Sequence, residues 1–168
     1  MMFEKIKIND LCFKPFELIG SDWMLITSGD ENNHNTMTAS WGGIGILWNN
    51  PVATTYIRPS RYTKEFIDKS GYLTISFFDD EFKPALQLCG TKSGRDIDKD
   101  EQTGLTPKKF GNSIAYEQAK LVLVCKVQYV QRLNPDCFLD KKIIDSSYPN
   151  KDYHFMYISK ILEAYSKK

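Results

Sequence analysis

The sequence predicts a mainly β protein, an antiparallel barrel with short helices inserted between its strands. Three observations favour this fold class. Six or more segments are rich in β-branched and aromatic residues, whereas the candidate helices are few and short. The chain of 168 residues is 42% hydrophobic and 13% aromatic, which is enough for one buried core. We therefore expect a single domain over residues 1–168.

The first strands are predicted by residues 23–28 (W-M-L-I-T-S) and by residues 36–41, which alternate with period two. In the second of these segments one face would carry hydroxyl groups and the other apolar groups. Gly42 and Gly43 interrupt the pattern. Strands resume over residues 44–48 and 52–57, with a turn at residues 49–51 between them.

The rest of the chain combines short helices with longer strands. Residues 64–69 predict a helix that Ser60 or Thr63 could cap and that Gly71 could end. A strand at residues 72–78, a second short helix at 82–88 and a polar loop at 90–100 follow. Residues 121–131 predict a long strand that leaves a buried barrel wall for a solvent-facing one. Residues 153–164 predict the last strand.

Composition and motifs exclude several functional classes. The 22 basic and 21 acidic residues leave a formal charge of +1 and are interspersed, so we expect no nucleic acid partner. No apolar run approaches the roughly 18 residues that span a bilayer, and the first residues are too charged for a secretory signal. Four cysteines without C-x-x-C spacing favour a reduced, cytoplasmic protein without a metal site. No phosphate-binding glycine loop, dinucleotide fingerprint or serine-hydrolase motif occurs.

The first of three polar clusters is N-T-M-T-A-S-W, residues 35–41. Hydroxyl groups and backbone amides along such a strand could hold the edge of a flat heteroaromatic ring, and Ala39 would let the backbone approach it. Thr38 and Ser40 are the hydroxyl candidates for that edge. The alternative is an ordinary solvent-facing row of hydroxyl side chains.

The second cluster is R-P-S-R-Y-T, residues 58–63, at a strand end just before a helix. Backbone N–H groups at a helix start suit a phosphate, and so do the hydroxyls of Ser60 and Thr63. The guanidinium groups of Arg58 and Arg61 would add charge-assisted hydrogen bonds. The alternative is a helix cap beside two solvated arginines.

The third cluster is G-T-K-S-G-R-D, residues 90–96. It predicts either a second anion-binding or cofactor-covering loop, or a mobile polar loop with an internal pair between Arg95 and Asp96. Cys89 lies directly before it and is either a reactive thiol or a buried structural cysteine.

Taken together and in this order, N-T-M-T-A-S-W-G-G, Y-I-R-P-S-R-Y-T and C-G-T-K-S-G-R-D resemble the flavin reductase-like family. Its members are FMN-binding split-barrel proteins and include the flavoredoxin type. The resemblance covers nearly the whole chain, from residue 23 to about residue 164. It implies a six-stranded antiparallel Greek-key split barrel that forms a homodimer, with FMN bound near the dimer interface of each subunit.

The resemblance also implies which residues bind the cofactor. The first cluster would line the isoalloxazine edge, and the second would hold the phosphate and ribityl chain. The third would close over the cofactor or contribute to the neighbouring subunit's site. The expected FMN-binding residues are Thr36, Met37, Thr38, Ala39, Ser40, Trp41, Arg58, Ser60, Arg61, Tyr62, Thr63, Cys89, Gly90, Ser93, Gly94, Arg95 and Asp96.

The function implied by the resemblance is an oxidoreductase in which NAD(P)H reduces bound FMN, and FMN passes electrons to free flavin or another acceptor. The hydride chemistry belongs to the cofactor, so no catalytic side chain is expected. Two alternatives stay open. One is a flavoredoxin-like electron-transfer protein that exchanges electrons with a redox protein partner and does not turn over nicotinamide. The other is a non-catalytic flavin-binding domain.

Overall fold

The computed structural model describes residues 2–167, and over this range it contains ten strands and four α-helices. The strands are β1 (Phe3–Ile6), β2 (Met24–Gly29), β3 (His34–Ala39), β4 (Gly42–Leu47), β5 (Asn50–Ile57), β6 (Tyr72–Phe77), β7 (Pro107–Phe110), β8 (Ser113–Tyr116), β9 (Leu121–Arg132) and β10 (Phe155–Lys167). The helices are α1 (Thr63–Ser70), α2 (Lys83–Thr91), α3 (Lys99–Thr103) and α4 (Lys142–Ser147).

Eight strands form one antiparallel sheet in the order β3-β2-β6-β9-β10-β5-β4, with β1 paired to β10 off this path. β7 and β8 form a separate hairpin. The sheet divides at one edge of β10, because residues 155–160 pair with β5 whereas residues 164–167 pair with β1. The other edge of β10 pairs with β9 along almost its whole length.

The interior of the barrel is filled by side chains from six strands, β2, β3, β5, β6, β9 and β10. Alternate residues of each strand point inward, and almost none of their surface is exposed. One inward residue from each strand, in chain order, is Ile26, Met37, Ala53, Ile75, Leu123 and Tyr157.

A second apolar layer covers the outer face of β2, β6 and β9. α2 and the β7–β8 hairpin pack there, and Leu86, Tyr116 and Val122 are buried between the layers. Because both of its faces are covered, β2 is buried along nearly its whole length, and so is the first half of β9. The second half of β9 is exposed, as the sequence predicts.

The predicted fold class is confirmed, and the differences lie in counts and boundaries. The sheet has eight strands and not six, because β1 and β4 extend the six strands that enclose the core. β3 ends at Ala39, so the break falls at residues 40–41, and Gly42 already belongs to β4. Within residues 2–167, no helix combines the length and the apolar character that crossing a membrane requires.

Two turns show how local sequence sets these boundaries. Gly71 ends α1 in the left-handed conformation at φ +70°, as predicted. Trp48 and Asn49 both have positive φ, 50° and 55°, and join β4 to β5 as a two-residue hairpin turn. The predicted cap of α1 is wrong, because no side chain caps it and the hydroxyl of Thr63 bonds Asn35 instead.

Candidate functional site

A groove runs along β3 and past the ends of β5 and α2, and we call it the β3 groove. It consists of two cavities of about 220 Å³ and about 210 Å³, whose walls share Met37, Arg58 and Arg61. The first cavity, the Trp41 end, lies against the end of β3. The second, the Lys99 end, lies against the loop that follows α2. Residues from all three polar clusters of the sequence line these two cavities.

Aromatic and neutral groups line the Trp41 end beside the shared Arg58 and Arg61. The rings of Trp41 and His154 lie 5.1 Å apart between centroids. His154 is buried, and its Nδ1 shares a 3.0 Å hydrogen bond with the hydroxyl of Tyr148. Burial, with the nearby charge of Arg58, lowers the pKa of His154 to about 4, so the ring is neutral at pH 7.

Arg58, between the two ends, is compensated inside the protein. Its guanidinium donates to Oδ2 of Asp152 at 2.5 Å and to the carbonyl oxygen of Ser147 at 2.9 Å. It also lies 5.4 Å from the centre of the Tyr148 ring. The two arginines that the sequence treats alike therefore differ, because the charge of Arg58 already has a carboxylate partner.

Four cations line the Lys99 end: Arg58, the exposed Lys92, and Arg61 and Lys99, of which the last two pair with no carboxylate among residues 2–167. Arg61 donates to the carbonyl oxygen of Gly90 at 2.7 Å. Lys99 is buried and donates from Nζ to the carbonyl oxygens of Thr36 at 2.7 Å and Cys89 at 3.0 Å. Burial lowers the pKa of both groups. Because a buried charge without a counter-charge is costly, this end suits an anionic ligand.

The loop after α2 approaches β3 very closely at Gly94. A Cβ atom built on Gly94 would lie 1.9 Å from Oδ1 of Asn35. Asn35 is itself fixed, because its Nδ2 donates to Oγ1 of Thr63 at 2.7 Å and to the carbonyl oxygen of Thr36 at 3.3 Å. Only glycine lets the loop reach this end of the groove without displacing that amide.

Most of the residues predicted from the sequence line the β3 groove. Residues of the first cluster lie at the Trp41 end, and residues of the second and third lie at the Lys99 end. The predicted residues that line the groove are Met37, Thr38, Ala39, Ser40, Trp41, Arg58, Ser60, Arg61, Tyr62, Thr63, Ser93 and Gly94.

Two hydroxyl groups of β3 are already used by the protein. The hydroxyl of Thr36 lies 2.9 Å from that of Thr27 and donates to the carbonyl oxygen of Ile26, so it belongs to the barrel wall and not to the groove. The hydroxyl of Thr38 donates to the carbonyl oxygen of Leu86. Of the three hydroxyl residues on the face that the sequence assigns to a ligand, Thr36 therefore packs within the protein, whereas Thr38 and Ser40 border the groove.

Cys89 and Gly90 lie behind the groove and reach its cations through their backbone carbonyl groups. The thiol of Cys89 is fully buried, and burial raises its pKa to about 11. A thiol with this pKa is almost entirely protonated at pH 7 and is a poor nucleophile. Of the two interpretations that the sequence allows, the buried structural cysteine fits.

Arg95 and Asp96 lie outside the β3 groove, and the predicted pair between them is wrong. Arg95 instead bonds the carboxylate of Glu65 on α1, and its guanidinium lies 4.4 Å from the centre of the Tyr62 ring. The backbone N–H of Asp96 donates to the carbonyl oxygen of Ser93 at 3.1 Å in a turn. Arg95 therefore fastens the loop to α1.

Sequence reasoning missed Lys99 and His154 as groove residues. Lys99 stands in the run D-I-D-K-D, which is typical of a solvated loop, and nothing local indicates that its side chain is buried. His154 is one of only two histidines and precedes a strand rich in aromatic residues. The other histidine, His34, also stands at a strand start, so position alone does not single out His154.

The fold and the groove define a split-barrel protein with a cationic groove along one wall. The chain belongs to the flavin reductase like domain family, whose sequence pattern matches residues 16–166. No curated protein matched the chain.

Solved structures share this fold at low sequence identity. Flavoredoxin from Methanosarcina acetivorans is 20% identical with a TM-score of 0.70, over 98% of this chain and 76% of that one. An FMN-binding domain of a flavin reductases-like enzyme from Shewanella baltica is 16% identical with a TM-score of 0.70, over 98% and 77%. An FMN-binding protein from Thermus thermophilus is 17% identical with a TM-score of 0.67, over 86% and 69%. At these identities the likeness establishes the fold alone.

Proposed function

We propose that the chain binds FMN in the β3 groove, with the phosphate at the Lys99 end and the isoalloxazine ring at the Trp41 end. The observation that carries this proposal is the pair Arg61 and Lys99, two cations that lack a carboxylate partner in the described part of the chain. A phosphate would supply the missing counter-charge and accept charge-assisted hydrogen bonds. Membership of the flavin reductase like domain family supports the same ligand.

The donors at the Lys99 end fit a phosphate group. An ammonium group carries three N–H donors, and Lys99 uses two of them on backbone carbonyls, so one is left for a ligand. The hydroxyls of Ser60 and Ser93 border the same cavity. Together with Arg61, these groups would hold the phosphate, and Arg58 would contribute less because Asp152 already neutralises it.

The Trp41 end fits a flat, largely uncharged ring. Met37, Ala39 and Trp41 border it, and the neutral ring of His154 adds a polar atom without adding charge at pH 7. Bound flavin supplies hydride and electron transfer. The side chains of this end would bind and orient the ring and limit its contact with water.

The activity we propose is that of an FMN-dependent oxidoreductase whose flavin is reduced by NAD(P)H and passes electrons to free flavin or another acceptor. A nicotinamide must stack on an exposed face of the ring, which requires a groove open on one side. Trp41 is 47% exposed, so the groove is open there. A flavoredoxin-like carrier that exchanges electrons with a redox protein needs the same opening, and it is the second candidate.

Steady-state oxidation of NADH and NADPH by the FMN-loaded protein, with added free FMN as acceptor, tests the proposed activity. We expect turnover with at least one nicotinamide. Rapid reduction by a reduced ferredoxin-type protein, with none by either nicotinamide, would select the flavoredoxin-like alternative. If the protein binds FMN but none of these donors reduces it, the result would select the non-catalytic flavin-binding domain.

We also propose that the chain forms a homodimer through the free edge of β4. Within residues 2–167 this strand pairs only with β5, and large apolar side chains are exposed along it, with Ile46 72% exposed and Trp48, in the turn that follows, 55% exposed. An uncovered apolar edge strand promotes uncontrolled association, so natural proteins cover it. A second copy of the chain would cover the edge of β4. Because β4 begins directly after Trp41, that copy would lie beside the β3 groove.

Light scattering tests the dimer. We expect a mass about twice the 19.4 kDa of one chain, because a stable homodimer typically buries about 2,000 Å² or more and the edge of β4 offers apolar surface for it. Charged substitution at this edge, Ile46→Lys, should shift the protein toward monomer, whereas Lys108→Glu on β7 should not. A monomer at micromolar concentration that still binds FMN tightly would contradict the proposal.

A further inference from the structure

A second cluster of polar side chains lies behind the Lys99 end of the β3 groove. His34 donates from Nε2 to Oδ2 of Asp100 at 2.8 Å, and its Nδ1 lies 3.1 Å from the carbonyl oxygen of Asp30. The hydroxyl of Tyr116 donates to the other carboxylate oxygen of Asp100 at 2.8 Å. We call His34, Asp100 and Tyr116 the Asp100 cluster.

The hydrogen-bond partners of His34 favour a charged ring. Both of its nitrogens face acceptors, a carboxylate and a backbone carbonyl, and a neutral imidazole has only one N–H to donate. The doubly protonated imidazolium satisfies both acceptors. In agreement, the hydrogen bond to Asp100 raises the pKa of His34. Burial opposes ionisation of Asp100, but the hydrogen bonds from His34 and Tyr116 lower its pKa overall.

The Asp100 cluster is joined to the groove through α3. Asp100 is the residue next to Lys99, and α3 is only five residues long, with Asp98 capping its first turn by accepting from the N–H of Glu101 at 3.0 Å. A helix this short has little stability of its own and depends on such anchors. The bonds from β3 and β8 to Asp100 therefore fix the backbone from which the Lys99 side chain reaches the groove.

We propose that His34 and Tyr116, through Asp100, are positioning residues for the anion-binding ammonium of Lys99, and that loss of the proton on His34 weakens phosphate binding. This inference rests on the proposed FMN site. The effect has a defined sign. Raising the pH through the pKa of His34 in the folded protein removes the charge of its ring. The ring then keeps one N–H for Asp100 but loses the charge assistance of that bond and the donor to the carbonyl oxygen of Asp30, which loosens α3 and lowers the affinity for FMN. By reciprocity, FMN binding should favour the protonated form of His34.

Other charged and titratable groups surround His34. Asp98 and Asp100 act on it directly, and Lys99 and Tyr116 border the same cavity. Asp30, whose carbonyl oxygen faces Nδ1, also interacts with Lys69 on α1, and Glu31 of the same turn pairs with Lys109 on β7. The pKa values of Asp30 and Asp100 are lowered, so both stay ionised above pH 7, and burial raises the pKa of Tyr116, so it keeps its proton. The titration of Lys99 must be distinguished from that of His34, because burial lowers the pKa of Lys99.

The test measures FMN and riboflavin affinity by fluorescence quenching between pH 7 and 9, where the phosphate of FMN, with a second pKa of about 6, stays doubly charged. For the natural protein we expect FMN affinity to fall about 3- to 10-fold with rising pH, and riboflavin affinity to stay constant. In His34→Gln, which keeps a donor to Asp100 but cannot titrate, FMN affinity should no longer depend on pH. A pH dependence that persists in His34→Gln would belong to Lys99 and would overturn the proposal.

A pair of tyrosine variants tests the positioning role separately. Tyr116→Phe removes one donor to Asp100 and should lower FMN affinity about 2- to 10-fold without changing riboflavin affinity. Tyr165→Phe is the matched control, because its hydroxyl donates to Glu163 in the same way at 2.6 Å but lies outside the groove. Equal behaviour of the two variants, or equal losses for both ligands, would overturn the proposal.

NMR of the His34 ring provides a readout that does not depend on flavin. Both ring nitrogens should carry a proton at pH values below the fall in FMN affinity, and a ring that is already neutral there would overturn the inference. If the natural protein binds neither FMN nor riboflavin, the proposed FMN site itself is refuted. The two failures are therefore distinguishable.

Discussion

Replacing Lys99 with Met should weaken FMN binding by about 10- to 150-fold and leave riboflavin binding nearly unchanged. A charge-assisted hydrogen bond contributes about 1.5–3 kcal/mol, which corresponds to that range of affinity. Riboflavin has the same ring and ribityl chain but no phosphate, so it makes no use of the ammonium. Fluorescence quenching on the same apo-protein measures both ligands.

Three further variants sharpen this prediction. Arg61→Met should behave like Lys99→Met, because both cations lack a carboxylate partner within residues 2–167. Arg58→Met should weaken FMN less, since its charge is already balanced by Asp152. Lys108→Met removes the same charge from an exposed position on β7 and controls for net charge. If Lys99→Met lowers the affinities for FMN and riboflavin equally, the phosphate does not bind at the Lys99 end.

Replacing Gly94 with Ala should lower the free energy of unfolding by about 1–3 kcal/mol, the usual cost of forcing an extra methyl group into a filled space. The new Cβ would lie 1.9 Å from Oδ1 of Asn35, and the hydrogen bonds of Asn35 to Thr63 and β3 prevent it from moving freely. Urea denaturation of the apo-protein measures the change. Gly20→Ala is the control, because nothing lies within 4 Å of its added Cβ.

A double variant locates the cause. In an Asn35→Ala background the contact with Gly94 disappears, so Gly94→Ala should then cost much less than it does alone. Neighbouring residues that share a contact couple by about 0.5–3 kcal/mol in such cycles. Strictly additive effects would mean that the close approach between the loop and β3 does not limit position 94.

The elements that follow from local chemistry could be predicted from the sequence. Period-two alternation predicts β3, and the apolar run that begins at residue 121 predicts the buried half of β9. Gly71 marks the end of α1 because a left-handed residue is needed there. The β7–β8 hairpin was missed, although its two-residue turn at Gly111 and Asn112 is a recognisable signal.

The candidate site was predictable in outline but not in its charges. The three clusters lie along one groove, as the sequence indicates. Which cation is free depends on partners far away in the chain. Asp152, 94 residues from Arg58, removes that arginine from the set, and the burial of Lys99 depends on carbonyl groups of β3 and α2. The residues next to Arg58 and Lys99 in the sequence do not indicate these distant partners, so the roles of the two cations could not be predicted from the sequence.

The edge of β10 that is divided between β5 and β1 has a consequence for how the chain acquires its structure. Residues 164–167 pair with residues 3–6, almost the whole length of the domain away, and residues 155–160 pair with residues 52–57, about 100 residues earlier. A topology of high contact order folds slowly, because chain entropy is lost before these contacts form. During synthesis β1 and β5 therefore lack their β10 partner, and apolar surface stays uncovered, until residues 155–167 leave the ribosome and close the barrel.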